Sequence, residues 1–133
     1  MEDVFVGRLM SAPVHSVDAE TPVQEAAQIM IENDVGSLVV TDDGDLEGIL
    51  TSTDFVHAAS DGGPAADATA GQYATAVVTT TGVNETVRDV ADTMTEEGFH
   101  HVPVTEDGEV VGMIATSDMT AYVSHIETPA QPN

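Results

Sequence analysis

A tandem repeat constrains the fold of this chain more than any other feature. At an offset of 64 residues, Gly48 aligns with Gly112 and Asp54 aligns with Asp118. The two copies align without a gap over 54 pairs, of which 14 are identical. These identities fall at glycines, at periodic apolar positions and at the aspartate, which chance would not favour. The chain is therefore two half-domains, and the pair is the expected unit of folding and function.

Each copy predicts the element order strand, helix, strand, strand, helix. Short alternating or apolar runs indicate the strands, and apolar stripes at a spacing of 3.6 residues indicate the helices. In the first copy we expect strands at 14–17, 36–40 and 46–50 and helices at 22–33 and 52–60. In the second copy we expect strands at 77–80, 99–105 and 110–115 and helices at 85–97 and 117–126. This order predicts an α+β fold with helices on one face of each sheet.

Local signals fix several boundaries. Thr21-Pro22 is a strong helix start, and Asn84 is suited to cap the equivalent helix. Turns with Asp and Gly at 42–45 and 106–109 indicate hairpins. The predicted domain boundaries are a first copy at 1–60 with a lead-in helical turn in 1–13, a linker at 61–70, a second copy at 71–126 and a tail at 127–133.

The charge is unusual for a globular chain. The 24 acidic residues against two arginines and no lysine give a net charge of −22. Such a chain repels duplex nucleic acid and anionic membranes, whose binding depends on Lys and Arg. It also repels itself unless salt screens the charges. We interpret the composition as that of a halophilic, cytoplasmic protein.

Several function classes are disfavoured by what the sequence lacks. There is no cysteine, no phosphate loop with lysine and no recognisable hydrolase or metalloprotease motif. No stretch approaches the length of a membrane span, and the first residues lack a basic signal-peptide region. Because the two copies use nearly all of the chain, we expect no catalysis and no required cofactor.

The motifs Gly48-Ile-Leu-Thr-Ser-Thr-Asp54 and Gly112-Met-Ile-Ala-Thr-Ser-Asp118 resemble those of the CBS domain, named for cystathionine β-synthase. Met10-Ser-Ala-Pro-Val14, 33–40 and His100-His-Val-Pro-Val104 also resemble segments of that family. The resemblance implies two repeats packed through their sheets into a pseudo-twofold module. It further implies clefts between the repeats for adenosine ligands such as AMP, ATP or S-adenosylmethionine, and pairing into homodimers.

Asp54 and Asp118 lead the candidate site residues. A carboxylate can accept two hydrogen bonds from a ribose diol, and the resemblance implies this role. The alternative is a helix cap favoured by the helix dipole, and both roles are compatible in one residue. Thr51, Thr53 and Ser117 offer hydroxyls to a phosphate beside a helix N-terminus. Ala115 replaces one of these hydroxyls, so we expect a weaker phosphate site in the second copy.

The resemblance adds two further groups of residues. His100 and His101 stand where nucleotide-binding members often carry a basic residue, and on alternation one points inward and one outward. A zinc site with His15, His57 or His125 is a minor alternative. The resemblance also implies that four strand residues flank an adenine ring, namely Val14, Ser16, Val78 and Thr80. The alternative for these four is core and edge packing.

These observations predict a regulatory sensor that binds an adenosine ligand, AMP before ATP because positive charge is scarce, and reports it to an unidentified protein. S-adenosylmethionine is a further candidate ligand. The alternatives are a ligand-free module for dimerisation or docking, and an acidic sensor of Mg²⁺.

Overall fold

The computed structural model describes residues 4–63, 67–76 and 79–127, with backbone only at 124–127. The described elements, in chain order, are α1 (Val6–Leu9), β1 (Ser16–Asp18), α2 (Val23–Asn33), β2 (Ser37–Asp42), β3 (Asp45–Thr51), α3 (Ser52–Ser60), α4 (Ala70–Tyr73), β4 (Thr75–Ala76), β5 (Thr81–Gly82), α5 (Val87–Glu97), β6 (His101–Glu106), β7 (Glu109–Ala115) and α6 (Thr116–Glu127). The predicted α+β class and the repeated element order are confirmed. Residues 64–66 of the predicted linker and 128–133 of the predicted tail lie outside the described residues.

The described residues divide into two compact units. One, here the Asp54 unit, contains the described residues from 15 to 76, and the other, the Asp118 unit, contains 4–14 together with 79–127. The Asp54 unit holds a four-stranded sheet in the order β1-β2-β3-β4, and the Asp118 unit holds a three-stranded sheet in the order β5-β6-β7. The first pair of each sheet is parallel and the hairpin pair is antiparallel. The two copies thus share one sheet pattern.

Both predicted hairpin turns are present. Asp43 and Gly44 have φ of 55° and 86°, and Asp107 and Gly108 have φ of 53° and 85°. Two successive residues at positive φ match the twist of the flanking strands, which is why Asp-Gly sits here in both copies. The two acidic turns, 42–45 and 106–109, therefore have a structural explanation.

Two predicted helix starts shift in the structure. The N-cap of α5 is Thr86, not Asn84, and the Thr86 hydroxyl accepts from the Asp89 N–H at 3.1 Å. Pro22 is the N-cap of α2 rather than its first helical residue. The prediction missed these because several capping residues are adjacent, and the tertiary path of the chain chooses among them.

The first strand of each copy lies later than predicted. The strand placed at 14–17 is found at Ser16–Asp18, and that placed at 77–80 is found at Thr81–Gly82, while 77–78 lie outside the described residues. Each is an edge strand paired in parallel with the next, Val17 opposite Val40 and Thr81 opposite Val104. Register against a parallel neighbour cannot be read from local alternation.

The short helices that open the two copies, α1 and α4, take equivalent positions in opposite units. In the Asp118 unit the Val6 N–H donates to the carbonyl of Glu85 at 2.8 Å, and in the Asp54 unit the Ala70 N–H donates to the carbonyl of Thr21 at 2.7 Å. The two compact units therefore do not coincide with the two copies predicted as continuous stretches of sequence. The reason is that α1 packs with the elements of the second copy and α4 packs with those of the first.

The glycine that opens each motif has a steric reason. A Cβ on Gly48 would lie 2.6 Å from the carbonyl oxygen of Thr75, and one on Gly112 would lie 2.9 Å from that of Ser11. The chain crosses β3 and β7 at these points, since Thr75 pairs with Ile49 and Ser11 with Met113. The two glycines thus let a preceding segment approach the strand that carries the aspartate.

Each unit has its own apolar core. Ala26, Met30, Leu38 and Leu50 are buried in the Asp54 unit. Val6 is buried in the Asp118 unit with the equivalent residues on α5, β6 and β7, namely Val90, Met94, Val102 and Ile114. Among the described residues, no helix has the length and apolar character needed to cross a membrane.

Candidate ligand-binding site

Asp54 lies in the first turn of α3, directly after β3. Its Oδ2 accepts from the Thr51 N–H at 2.8 Å and from the Thr51 hydroxyl at 3.2 Å. Its Oδ1 accepts from the Thr75 hydroxyl at 3.0 Å. The half-buried carboxylate is therefore fixed by its own helix start and by the segment that crosses β3. The capping role considered for this residue is present.

Asp118 occupies the equivalent position at the start of α6. Its Oδ2 accepts from the Ala115 N–H at 2.8 Å, and its Oδ1 lies 3.5 Å from the Ser11 hydroxyl, which is a long contact. Asp54 and Asp118 thus each accept from the backbone N–H of the residue three positions earlier. An acidic group in the first helical turn is also favoured by the helix dipole.

The two carboxylates differ in the acceptor capacity that they leave open. An ionised carboxylate has about four acceptor positions. Three of the acceptor positions of Asp54 are occupied, two by Thr51 and one by the Thr75 hydroxyl. Asp118 accepts one short hydrogen bond and the long contact from Ser11. Among the described residues, Asp118 therefore offers the freer pair of oxygens to an incoming hydroxyl pair.

The hydroxyl residues of the two motifs differ in their exposure and in their hydrogen bonds. Thr51 is half-buried and engaged with Asp54, while Thr53 and Ser117 are exposed in the first turns of α3 and α6. Exposed hydroxyls beside a helix N-terminus suit an anionic group. At Ala115 no hydroxyl is available, so the predicted difference between the phosphate-binding positions rests on this residue.

The histidine pair belongs to the Asp118 unit. His100 is exposed and precedes β6, and its carbonyl accepts from the Thr116 N–H at 3.1 Å. His101 is half-buried and is paired with Ala115 in the register of β6 and β7. This fits the alternation of the strand and brings the backbone of both histidines to the start of α6, the helix that carries Asp118.

The four strand candidates are dispersed. Val14 is half-buried and Thr80 is exposed, both in the Asp118 unit but outside its strands. Ser16 is exposed in β1 of the Asp54 unit. Val78 lies outside the described residues. The adenine-flanking role of these residues therefore stays a prediction.

Sequence reasoning missed Ser11 and Thr75 as partners of the aspartates. Ser11 belongs to the first copy and contacts Asp118 of the second, and Thr75 belongs to the second copy and contacts Asp54 of the first. The signal that would have found them is the same offset of 64, which aligns Ser11 with Thr75 and leaves a hydroxyl at both positions. The contacts of these two hydroxyls with the aspartates depend on the chain crossing β3 and β7 at Thr75 and Ser11.

A metal centre receives no support from the part of the chain that the structure describes. No group of three or more His, Asp or Glu side chains there could hold an ion. The side chain of His125 is outside the described set. The arrangement that remains is a pair of helix-initiating carboxylates with neighbouring hydroxyls, which is suited to accept hydrogen bonds from a sugar.

Known proteins share this arrangement of elements. The chain is 30% identical to an uncharacterized 17.7 kDa protein of Acidianus ambivalens over 92% of this chain and 75% of that protein. It is 30% identical to Hypoxic response protein 1 of Mycobacterium tuberculosis over 86% of this chain and 82% of that protein. A crystal structure of Hypoxic Response Protein I holds two coordinated zinc ions (TM-score 0.75, 29% identity, 90% of this chain and 98% of that chain covered).

The CBS domain pair of protein MJ0100, solved in complex with 5′-methylthioadenosine and S-adenosylmethionine, superposes with a TM-score of 0.84. It is 28% identical and covers 94% of this chain and 99% of that chain. The model of the CBS domain matches residues 6–61 and 70–125, which is both copies of the repeat. The chain therefore belongs to the CBS domain family and carries a tandem pair of these domains.

Proposed function

We propose that this chain is a non-catalytic regulatory module that binds an adenosine ligand through the carboxylates of Asp54 and Asp118. The observation that carries this proposal is the repeated placement of a half-buried carboxylate at a helix start, beside exposed hydroxyls. A ribose diol would donate two charge-assisted hydrogen bonds to such a group. The adenosine ligands of the MJ0100 pair support the same class of ligand.

AMP is our first candidate among these ligands. The chain has only Arg8 and Arg88 as permanent cations against 24 acidic residues, so each added phosphate raises the repulsion. S-adenosylmethionine, which carries a positive charge, is the second candidate, and ATP is the third. The exposed hydroxyls of Thr53 and Ser117 are the proposed phosphate contacts, with His100 and His101 as further donors in the Asp118 unit.

Calorimetry tests this proposal. AMP, ADP, ATP, S-adenosylmethionine and 5′-methylthioadenosine are titrated into the full chain in molar KCl. We expect saturable binding of at least one, with AMP tighter than ATP. Asp118→Asn should weaken binding about tenfold, since a neutral amide loses the charge-assisted bonds. Heat from none of the five ligands, or binding that neither Asp118→Asn nor Asp54→Asn changes, would refute the proposal.

A second candidate function, homodimerisation without a ligand, is favoured by exposed apolar residues. Ile31 on α2 and Val56 on α3 are 73% and 67% exposed, although large apolar side chains usually avoid water. The equivalent residues of the second copy are Thr95 and Thr120. We propose that Ile31 and Val56 belong to a contact between two copies of the chain.

The oligomeric state tests this second candidate. We expect a dimer by light scattering after size-exclusion chromatography, and a monomer for Ile31→Thr/Val56→Thr. This double variant copies the polar residues of the second copy and keeps the chain soluble. The control is Thr95→Ser/Thr120→Ser, a double substitution at the equivalent positions of the second copy, which should leave the dimer unchanged. A monomeric wild-type chain would remove the candidate.

The acidic composition supports a cytoplasm with high salt as the working environment. At a Debye length of about 3 Å near 1 M salt, repulsion among exposed carboxylates is largely screened. We expect the melting temperature to rise strongly from low to molar KCl. Equal melting in both would contradict the halophilic assignment while leaving the ligand proposal intact.

A further inference from the structure

A cavity beside α5 in the Asp118 unit is separate from the two carboxylate positions. Its volume is about 300 Å³, and its wall includes Thr79, Thr80 and Thr81 from the region of β5. Its floor includes Val90 and Val102 from the core, and neither Asp118 nor Asp54 lines it. The volume lies at the lower end of the range for small-molecule sites.

Thr81 is the unusual residue of this cavity. It is only 9% exposed, and its hydroxyl makes no hydrogen bond with the residues that the structure describes. Its carbonyl is engaged separately, by the Thr105 hydroxyl at 3.5 Å. Because no fully buried side-chain oxygen or nitrogen among the described residues lacks a partner, this hydroxyl is open to the cavity, where water or a ligand supplies its hydrogen bond. The cavity that Thr81 lines provides the space for that partner.

The equivalent positions in the Asp54 unit carry apolar side chains. There the repeat places Val17 where the second copy has Thr81, and Ile29 where it has Thr93. Val17 is buried, and Ile29 packs against the same core cluster. The second copy thus has hydroxyl residues at two positions where the first copy has apolar ones, and both Thr81 and Thr93 line the cavity.

The mouth of the cavity is acidic. Glu85 and Asp89 line it, and both residues are exposed at the start of α5. Carboxylates at the rim attract positive charge, whereas the valines of the floor favour a short apolar group. A ligand that satisfies both carries an ammonium group on a small organic body.

We infer that this cavity, formed by Thr81, Thr93, Glu85 and Asp89, is a binding site for a small organic cation. The ammonium group contacts the rim carboxylates, and the Thr81 hydroxyl gains a partner from the ligand or its bound water. The site lies within one unit and uses neither Asp54 nor Asp118; Thr80 of its wall is also among the residues predicted to flank an adenine ring.

Chemical-shift titration of the nitrogen-labelled full chain tests the site. The probes are choline and putrescine, and the control is dimethylbutanol, the uncharged carbon isostere of choline, all at constant ionic strength. We expect saturable shifts at Thr81, Glu85, Asp89 and Thr93, with the uncharged isostere about tenfold weaker. No saturable shift with either cation, equal shifts with the isostere, or the same shifts produced by KCl or MgCl₂ alone would overturn the proposal.

Two variants make the test specific. Thr81→Val/Thr93→Ile refills the cavity as in the first copy, so we expect an equal or higher melting temperature and at least about tenfold weaker choline binding. Glu85→Gln/Asp89→Asn should also weaken binding, whereas Glu96→Gln/Glu97→Gln removes the same charge from the far end of α5 and should not. Unchanged binding in the refilled variant, or equal loss in both charge variants, would overturn the proposal.

Discussion

The Asp54 and Asp118 units place the same carboxylate with the same backbone contact, yet they hold it differently. Asp54 receives two hydroxyl contacts, from Thr51 and Thr75, whereas Asp118 has an alanine before its helix and a long contact to Ser11. Equivalent folds therefore do not make equivalent sites. The comparison suggests that Asp54 is the more rigid position and Asp118 the more available acceptor.

The largest expected difference is steric. Gly48→Ala brings a Cβ to 2.6 Å from a backbone oxygen, which cannot move without shifting the strand, and should cost about 3 kcal/mol of unfolding free energy. Gly112→Ala meets the Met10 Sδ at 2.7 Å and a carbonyl at 2.9 Å, and part of this clash is relieved by the flexible methionine. We expect about half the cost there.

Denaturant unfolding in molar KCl measures both glycine variants. Gly36→Ala is the control, because nothing lies within 4 Å of the added Cβ. If Gly112→Ala lowered the unfolding free energy more than Gly48→Ala, the proposed tighter packing at Gly48 would be wrong.

The second prediction concerns the carboxylates themselves. Asp54→Ala removes three hydrogen bonds and should cost about 2 kcal/mol, whereas Asp118→Ala removes one short contact and one long one and should cost about 1 kcal/mol. Thermal unfolding with matched salt measures both. The exposed Asp92→Ala on α5 controls for the change in net charge. Equal losses at the two positions would show that the extra hydroxyl contacts of Asp54 add no stability.

The third prediction isolates the crossing segments. Thr75→Val removes the 3.0 Å contact to Asp54 and should cost about 1 kcal/mol, while Ser11→Ala removes only a 3.5 Å contact and should be nearly neutral. Thr75→Val also frees an oxygen of Asp54, so we expect adenosine ligands to bind that position more tightly. Calorimetry in the Asp118→Asn background separates this effect from binding at the other carboxylate. Weaker binding would show that Thr75 contacts the ligand instead.

The smallest expected effect comes from restoring the missing hydroxyl. Ala115→Thr copies Thr51 at the start of α6 and should stabilise the chain by about 0.5 kcal/mol, because a hydroxyl at the N-cap satisfies a free helix N–H. The reverse change, Thr51→Ala, should destabilise the Asp54 unit by a similar or larger amount. A destabilised Ala115→Thr variant would indicate that the space beside Asp118 is already filled.

The sequence by itself determined the local part of this architecture. The offset of 64 defined two equivalent copies, Asp-Gly turns fixed both hairpins, and the hydroxyl-rich run before Asp54 predicted a capped helix. These features depend on contacts between residues close in the chain, for which local conformational preference is enough. The helix start at Thr86 shows the limit, since neighbouring residues with similar capping ability compete and packing selects one.

Only the tertiary structure decided which side chains surround the carboxylates and where the core is left unfilled. Thr75 reaches Asp54 across 21 residues and Ser11 reaches Asp118 across 107, so neither contact follows from local pattern. The cavity at Thr81 and Thr93 likewise requires β5 and α5 to be brought together. The reason is physical: a repeat fixes the backbone that two copies share, whereas their different side chains acquire a function only when distant segments are packed against them.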